Sequence, residues 1–425
     1  MENTASYSSE RSASFSQLVK SLGPGIMMAT AAVGGSHLVA STKAGAIYGW
    51  QLAALILLVN LFKYPFFLAG VQYTMGTGNS LVQGYDKLGK PYLWVFFILS
   101  SISAVINTAA LTIFSASLLS YFSPVELSIN TLSFIVVAVC LAILFAGHYK
   151  ALDSISKAIM LVLTVATVLA VVIAFGNHTE AAAAVTQPEL SPWTIASIGF
   201  LVVTMGWMPA PIEISSLTSV WLKSQCKQQK VTPRSALFDF NVGYIGTAIL
   251  AIVFLALGAL VIHGTGVELS KSGVGFSHQL VSMYASTIGE WSRYLIAVIA
   301  FFCIFGSTIT VIDGYSRVVA ESQRLIQNAP DEKSKRLPVW MIIISAASLA
   351  ILFFAKSSLM PMLNFAMIMA FMTTPIFALL NYILVSRTEL PKELAIGPKL
   401  KALSIAGLIY LFGFLAVFIW WKWLM

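Results

Sequence analysis

The chain has 425 residues, of which 58% are hydrophobic and only 10% are charged. Soluble domains carry about 25% charged residues, so this composition excludes an ordinary soluble enzyme and indicates that most of the surface faces lipid. The net charge of +8 is typical of nucleic-acid binders. In a membrane protein, however, such a charge usually records Lys and Arg in the loops of one side. We therefore expect a lipid bilayer, and no nucleic acid, as the partner of this chain.

Apolar runs take up most of the sequence. A helix needs about 20 residues to cross a hydrocarbon core of roughly 30 Å, and eleven runs of approximately this length are present. They are continuous rather than alternating, which excludes a membrane β-barrel. We expect an all-α membrane protein with about eleven transmembrane helices. The runs cover residues 22–48, 51–73, 92–119, 131–146, 155–175, 193–222, 237–262, 294–312, 338–355, 359–385 and 403–421.

The positions of Lys and Arg predict the orientation. If the N-terminus lies in the cytoplasm, most of the 25 Lys and Arg residues fall on cytoplasmic segments, as the positive-inside rule requires. Residues 1–20 are polar and Ser-rich and lack the apolar core of a signal peptide, so we expect a cytoplasmic tail there. We predict an integral protein of the bacterial inner membrane that functions as a monomer.

Several classes of chemistry have no motif in this sequence. Cys140, Cys226 and Cys303 form no CxxC pair and no even framework, so neither a disulfide scaffold nor a zinc site is indicated. The sequence has no Walker motif, no paired catalytic carboxylates and no Ser/His/Asp spacing. We therefore expect neither an enzyme nor an ATP-driven pump, and no cofactor.

Eleven helices divide into five, five and one. Many secondary transporters contain two inverted repeats, with an interrupted helix at the same position in each. We predict a first repeat over residues 21–176, a second over 193–386, and an additional helix over 402–425. The first and sixth helices are then the matching pair, and both contain helix-breaking residues near their middle.

The first helix contains Gly34-Gly35-Ser36-His37. Each glycine weakens a helix by roughly 1 kcal/mol relative to alanine, and glycine also permits backbone conformations that other residues rarely adopt. Close packing of small residues between helices is one interpretation. The polar Ser36 and His37 favour the other, which is a binding site where the helix unwinds.

The sixth helix contains Met208-Pro209-Ala210-Pro211, followed by Glu213. Two prolines so close together remove two helix donors, and their rings clash with the preceding turn. This pattern predicts a break rather than a simple kink. Carbonyl groups freed at such a break can coordinate a cation, and the new half-helix N-terminus can face an anion.

Four motifs along the chain are typical of one transporter family: Gly23-Pro24-Gly25, Ala44-Gly45-Ala46-x-Tyr48-Gly49, Met208-Pro209 and Asp239-Phe240-Asn241-Val242. Through them the chain resembles the NRAMP (natural resistance-associated macrophage protein) family of divalent metal transporters over most of its length. The resemblance implies a leucine-transporter-like fold. It also implies secondary active transport by alternating access, nominally proton-coupled uptake of a divalent metal ion.

The family's usual metal ligands are altered here. By the resemblance, the metal-binding Asp falls on Gly34, the Asn on His37 and the His of the sixth helix on Ala210, whereas Met208 is retained. Met208 and His37 are then the candidate metal ligands, a pair suited to a softer metal than Mg²⁺ or Mn²⁺. The predicted substrate site comprises Gly34, Gly35, Ser36, His37, Met208, Pro209 and Ala210.

These departures leave other interpretations open. Met208 is equally suited to lining a cavity, and His37 to being a hydrogen-bonded packing residue. A small organic solute, such as a carboxylate or an amino-acid-like compound, is an alternative substrate. An uncoupled channel on the same fold is a further alternative.

Four ionisable residues are candidates for proton coupling: Lys63, Glu213, His37 and Asp239. Lys63 lies halfway along the second apolar run, where a charge costs a few kcal/mol. It can extend towards the interface, face the site, or pair with Glu213, Asp239 or Asp313. Asp239 has an alternative role as a cap of the seventh helix.

Overall fold

The regular structure of this chain is helical wherever it is described. The computed structural model describes residues 22–123, 125–147, 149–181, 190–270, 273–330, 336–354 and 358–424. The predicted cytoplasmic tail, residues 1–20, lies outside these ranges. The helices are α1 (Pro24–Ala32), α2 (Thr42–Tyr48), α3 (Ala53–Thr77), α4 (Leu81–Leu88), α5 (Lys90–Leu119), α6 (Ile129–Phe145), α7 (Tyr149–Ala181), α8 (Ile198–Gly206), α9 (Ile214–Gln228), α10 (Pro233–Val261), α11 (Gly273–Ile288), α12 (Arg293–Ile326), α13 (Arg336–Phe354), α14 (Leu359–Arg387) and α15 (Pro398–Trp423).

The helices account for the eleven predicted spans. Seven of the described helices are long and apolar enough to cross a membrane: α3, α5, α10, α12, α13, α14 and α15. Shorter apolar helices lie at Ile129–Phe145, Leu161–Gly176 and Ile195–Gly206. A break divides the first run into two halves. Helix α1 forms the first half, and a π-helical segment, Ser36–Ser41, followed by α2 forms the second. The predicted all-α membrane architecture is confirmed.

Two helices and one helix end differ from the sequence prediction. The apolar-run criterion missed α4 and α11 because they are short and mix polar with apolar residues. It also ended the eighth span at residue 312, whereas α12 continues to Ile326. The extension is polar but helical, and an ion pair one turn apart supports it, with Arg317 Nε 2.7 Å from Asp313 Oδ2.

The outer helices expose large apolar side chains. Phe175 on α7 is 70% exposed, Ile342 on α13 is 51% exposed and Ile409 on α15 is 69% exposed. Apolar faces of this size are unfavourable in water and favourable against lipid tails. The helical spans also satisfy their backbone hydrogen bonds internally, as the hydrocarbon core requires. These faces therefore lie against the bilayer and surround a buried inner group of helices.

Helix α2 packs against α10 with the two backbones in direct contact. A Cβ atom added to Gly45 would lie 1.9 Å from the carbonyl oxygen of Leu255, and one added to Gly258 would lie 2.1 Å from that of Thr42. Only hydrogen atoms fit at these two positions. Small residues of this kind allow close helix association in membranes, where packing replaces the hydrophobic effect.

Asp239 joins the other end of the first span to α10. Its Oδ1 accepts the N–H of Gly23 at 2.9 Å and its Oδ2 accepts the N–H of Gly25 at 2.7 Å. Both donors belong to the N-terminal end of α1, where backbone N–H groups lack helical partners and attract negative charge. The prediction that Asp239 caps its own helix is wrong, because α10 begins at Pro233 and Thr232 caps it.

We predict that Gly258→Ala destabilises the protein and that Gly246→Ala does not. Both residues lie in α10, and both substitutions gain the same helix propensity. The new methyl group meets the backbone of α2 at position 258, whereas nothing in the described chain lies within 4 Å of it at position 246. Overpacking costs about 1 to 3 kcal/mol. The midpoint of thermal unfolding should fall for Gly258→Ala alone, and equal midpoints for the two variants would contradict the contact.

Candidate functional site

The first break is a tight turn centred on Val33. This residue has φ −76° and ψ 67°, and the N–H of Gly34 donates to the carbonyl of Ala32 at 2.8 Å. These values are those of an inverse γ-turn. The helix resumes immediately, and its first amides, those of Gly35 and Ser36, have no acceptor among the described residues. The first span therefore contains a half-helix N-terminus within the membrane.

The two glycines provide space at this break rather than an unusual backbone conformation. Neither Gly34 nor Gly35 belongs to the described glycines with positive φ. A Cβ atom on Gly35 would lie 2.2 Å from the ring of Trp207, and one on Gly34 would lie 3.1 Å from the Oγ of Ser307. Gly35 is required because an indole ring packs directly on the backbone there.

His37 is fully buried and engaged with protein groups on both sides of its ring. Its Nε2 lies 2.9 Å from the carbonyl oxygen of Thr247 on α10. Its Nδ1 lies 2.6 Å from the Oγ of Ser36, which also bonds to the carbonyl of Ala32. The ring thus links the first span to α10 and leaves no ring nitrogen free for a ligand.

Lys63 fills the break in the sixth span. Helix α8 ends at Gly206, and α9 begins at Ile214. From the middle of α3, the Nζ of Lys63 donates to the carbonyls of Met205 at 2.8 Å, Gly206 at 3.1 Å and Ala210 at 3.4 Å. An ammonium group has three donors, and here each has a carbonyl that the broken helix leaves free. The positive charge also lies at a helix C-terminus, where it is favoured.

These three contacts show where the side chain of Lys63 points. It is fully buried, so it does not extend to the interface. Of the three acids considered as partners, Glu213 is the one that acts on it electrostatically. Lys63 does not line the cavity between the two breaks.

That cavity is small, since the volume that the centre of a water molecule can occupy is about 20 Å³, which is enough to hold a water molecule. The first span contributes Gly35 and Ser36 to it, and the sixth contributes Trp207, Ala210 and Pro211. Three of the predicted site residues, Gly35, Ser36 and Ala210, therefore line one cavity. Gly34, His37, Met208 and Pro209 do not line it. The sulfur of Met208 faces the Oγ of Ser41 at 3.8 Å instead.

Two polar residues of the cavity were missed in the sequence. Asn107 on α5 accepts the indole N–H of Trp207 at 3.0 Å and donates to the hydroxyl of Tyr315 on α12 at 3.0 Å. That hydroxyl donates to Oε1 of Glu213 at 3.0 Å. Single Asn and Tyr residues inside long apolar runs carry no spacing signal. Only the packing of α5 and α12 around the breaks brings them together.

The donor set of the cavity does not resemble a site for a hard dication. Among the described lining residues there is no carboxylate, imidazole or thioether; the polar groups are a hydroxyl, an amide, a phenol and an indole. Nowhere in the described ranges do three His, Cys, Asp or Glu side chains group as metal ligands. Mg²⁺ and Mn²⁺ prefer carboxylate oxygens.

Comparison with known proteins gives a family and several relatives. The model of the family described as natural resistance-associated macrophage protein-like (Nramp) matches residues 25–421. An uncharacterized protein of Pasteurella multocida (strain Pm70) is 52% identical over 399 residues, which cover 94% of this chain and 91% of that protein.

Several solved structures have a similar fold. A mutant of the manganese transporter of Eremococcus coleocola superposes with a TM-score of 0.70 at 14% identity, covering 97% of this chain and 88% of that chain. MhsT in complex with L-phenylalanine superposes with a TM-score of 0.62 at 14% identity, covering 93% of this chain and 97% of that one. At these identities the likeness establishes the leucine-transporter-like fold alone.

We predict that Lys63→Met strongly destabilises the protein. The substitution leaves buried carbonyls without donors and the carboxylate of Glu213 without its positive neighbour. Removing one partner of a buried charged group costs about 3 to 5 kcal/mol. The midpoint of thermal unfolding should fall far more than for Lys392→Met, since Lys392 is exposed. If both variants unfold at the same temperature, Lys63 does not hold the break.

Proposed function

This chain belongs to the NRAMP family, and from that premise we propose that it is a secondary active transporter whose substrate binds between the two interrupted helices. The observation that carries the proposal is the cavity at Gly35, Ser36, Trp207 and Ala210, where both breaks meet. In the proposed cycle the halves of the first and sixth spans move against the surrounding helices. The cavity then opens to one side of the membrane at a time, with the N-terminus in the cytoplasm.

A divalent metal ion is the substrate that family membership favours. The Eremococcus coleocola protein, which shares the fold, is a manganese transporter. In this chain, however, the carbonyls that could replace the missing carboxylate already have donors. Those of Met205 and Gly206 accept from Lys63, and that of Ala32 accepts from Ser36. A buried ammonium group beside the site also repels a dication.

A small organic solute is the substrate that the cavity favours, and it is the one we propose. The amides of Gly35 and Ser36 suit a carboxylate group, because half-helix N-termini attract anions. Asn107 and Ser36 offer further polar contacts, and Trp207 and Tyr315 offer apolar surface. This mixture of a few polar groups on an apolar wall is typical of small-molecule sites. MhsT, which shares the fold, holds L-phenylalanine.

The coupling ion we propose is the proton, with Glu213 as the group that carries it. The other three candidates are committed to backbone groups. Lys63 and His37 hold carbonyls, and Asp239 holds the amides of Gly23 and Gly25. One oxygen of Glu213, Oε2, is buried without a hydrogen-bond partner among the described residues.

Uptake by reconstituted vesicles distinguishes the substrates. Purified protein is first screened by thermal shift against small carboxylates, amino acids and Mn²⁺, because a ligand stabilises the state that it binds. We expect stabilisation by a member of the first two groups, followed by its saturable uptake into proteoliposomes under an inward proton gradient. We expect no quenching of an internal metal-sensitive dye by Mn²⁺.

A cavity-filling variant tests where the substrate binds, and the same substitution at an exposed position is its matched control. Ala210→Phe should abolish it, whereas Ala402→Phe on α15, which is exposed, should leave it unchanged. Saturable quenching by Mn²⁺ would instead make the metal ion the substrate. Flux that does not saturate would favour the channel.

A further inference from the structure

A second, much larger cavity lies beside α2. Its walls are Lys43, Ala46 and Ile47 of α2, part of the segment that follows α10, and the first turn of α14. The volume that the centre of a water molecule can occupy there is about 970 Å³, against about 20 Å³ in the cavity between the breaks. A small organic solute fits the larger cavity as it stands, whereas the cavity between the breaks must widen to admit one. Because α2 leads from the break towards the predicted outer side of the membrane, we call the larger cavity the outer vestibule.

Lys43 belongs to a helix that is packed firmly behind the wall of the outer vestibule. The three lining residues of α2, Lys43, Ala46 and Ile47, are spaced three and four residues apart and so share one face. On the opposite face, the backbone at Gly45 is in direct contact with α10. Lys43 lies about 10 Å along the half-helix from Ser36, at about 1.5 Å per residue. The vestibule thus contains a cation at a fixed position, about two turns from the break.

The ammonium group of Lys43 has no partner among the described residues. No hydrogen bond or ion pair joins it to any of them, although the side chain is only partly exposed. The other Lys and Arg side chains that are described and not exposed all donate to an acceptor, as Arg293 does to Glu290 and Arg317 to Asp313. A charge that is partly removed from water is costly unless it is paired. Lys43 is therefore the one such cation in the described chain whose counter-ion must come from outside it.

The other ionisable side chains of the outer vestibule do not supply this counter-ion. They are His263 and Glu268, both from the segment that follows α10. The Nδ1 of His263 lies 3.3 Å from the carbonyl oxygen of Ala46, on the wall formed by α2. Glu268 is exposed to water and forms no ion pair with Lys43. The described lining thus leaves a positive charge beside a space that is large enough for a solute.

We propose that the outer vestibule is a second binding site, in which Lys43 pairs with the carboxylate group of a small organic solute before the solute reaches the break. The ammonium group forms a charge-assisted hydrogen bond with a carboxylate, and the same charge repels a dication. Anions are therefore selected in the vestibule. The amides of Gly35 and Ser36 lie about two turns further along the same half-helix and receive the carboxylate next. The inference rests on the proposed function for the class of solute, but its test measures binding and not transport.

Chemical labelling of Lys43 tests the site. Purified protein in lipid nanodiscs is treated briefly with an amine-reactive ester, and the modified fractions of Lys43 and Lys422 are measured by peptide mass spectrometry. Acetate, lactate, succinate and benzoate are each compared with their uncharged amides. At least one carboxylate should slow the labelling of Lys43 several-fold, and its amide should not. Lys422 is the matched control, because it is exposed and lies outside the vestibule, so its labelling should not change.

Two variants of Lys43 complete the test. Lys43→Gln removes the charge without breaking a described contact, so its midpoint of thermal unfolding should not fall. The protective carboxylate should stabilise the unaltered protein and Lys43→Arg, but not Lys43→Gln.

Two outcomes would overturn the site. One is labelling of Lys43 that none of the four carboxylates slows more than its amide does, and the other is equal stabilisation of Lys43→Gln and the unaltered protein. Either outcome would leave the proposed function standing, since a solute can reach the breaks without pausing in the vestibule. Failed uptake into proteoliposomes would likewise leave a protected Lys43 as evidence for the site.

Discussion

The ammonium group of Lys63 on the carbonyls of Met205, Gly206 and Ala210 is the contact on which the site depends. Two prolines open the sixth span, and an open helix in a bilayer needs donors for its free carbonyls. Lys63 supplies all three from the neighbouring α3. With the carbonyls satisfied, the break stays open without a bound cation. Trp207 is then held beside the first span, and the cavity forms between them.

This use of Lys63 also changes what the family's scaffold is suited to bind. The same scaffold, with a carboxylate at position 34, is implied by the resemblance to hold a metal ion. Here position 34 is a glycine, where an added Cβ atom would lie 3.1 Å from the Oγ of Ser307. The positive charge of Lys63 lies at the other break, in the sixth span. The first span keeps its half-helix N-terminus at Gly35. A site with a fixed cation and free amides is electrostatically suited to an anion rather than to a dication.

The sequence predicted the architecture well because hydrophobic length is a strong signal in membranes. Both breaks lie where Gly34-Gly35 and Pro209-Pro211 indicated. The site was harder to predict, since side-chain direction depends on packing between distant helices. Lys63 and His37 stand out in the sequence as ionisable residues in apolar runs, but in the structure both bond to backbone carbonyl groups. Asn107 and Tyr315 line the cavity but do not stand out in the sequence. An isolated polar residue in a long apolar helix forms no pattern, and only the packing of neighbouring helices shows its role.

Access to Ala210 from the two sides of the membrane is the most direct test of this account. The variant Ala210→Cys is made with Cys226→Ser, since Cys226 is exposed whereas Cys140 and Cys303 are buried. A membrane-impermeant thiol reagent is then applied to right-side-out and to inside-out vesicles. Alternating access predicts reaction from both sides, with a ratio of the two rates that changes with pH. Reaction from neither side, or from one side only at every pH, would contradict a transport site between the two breaks.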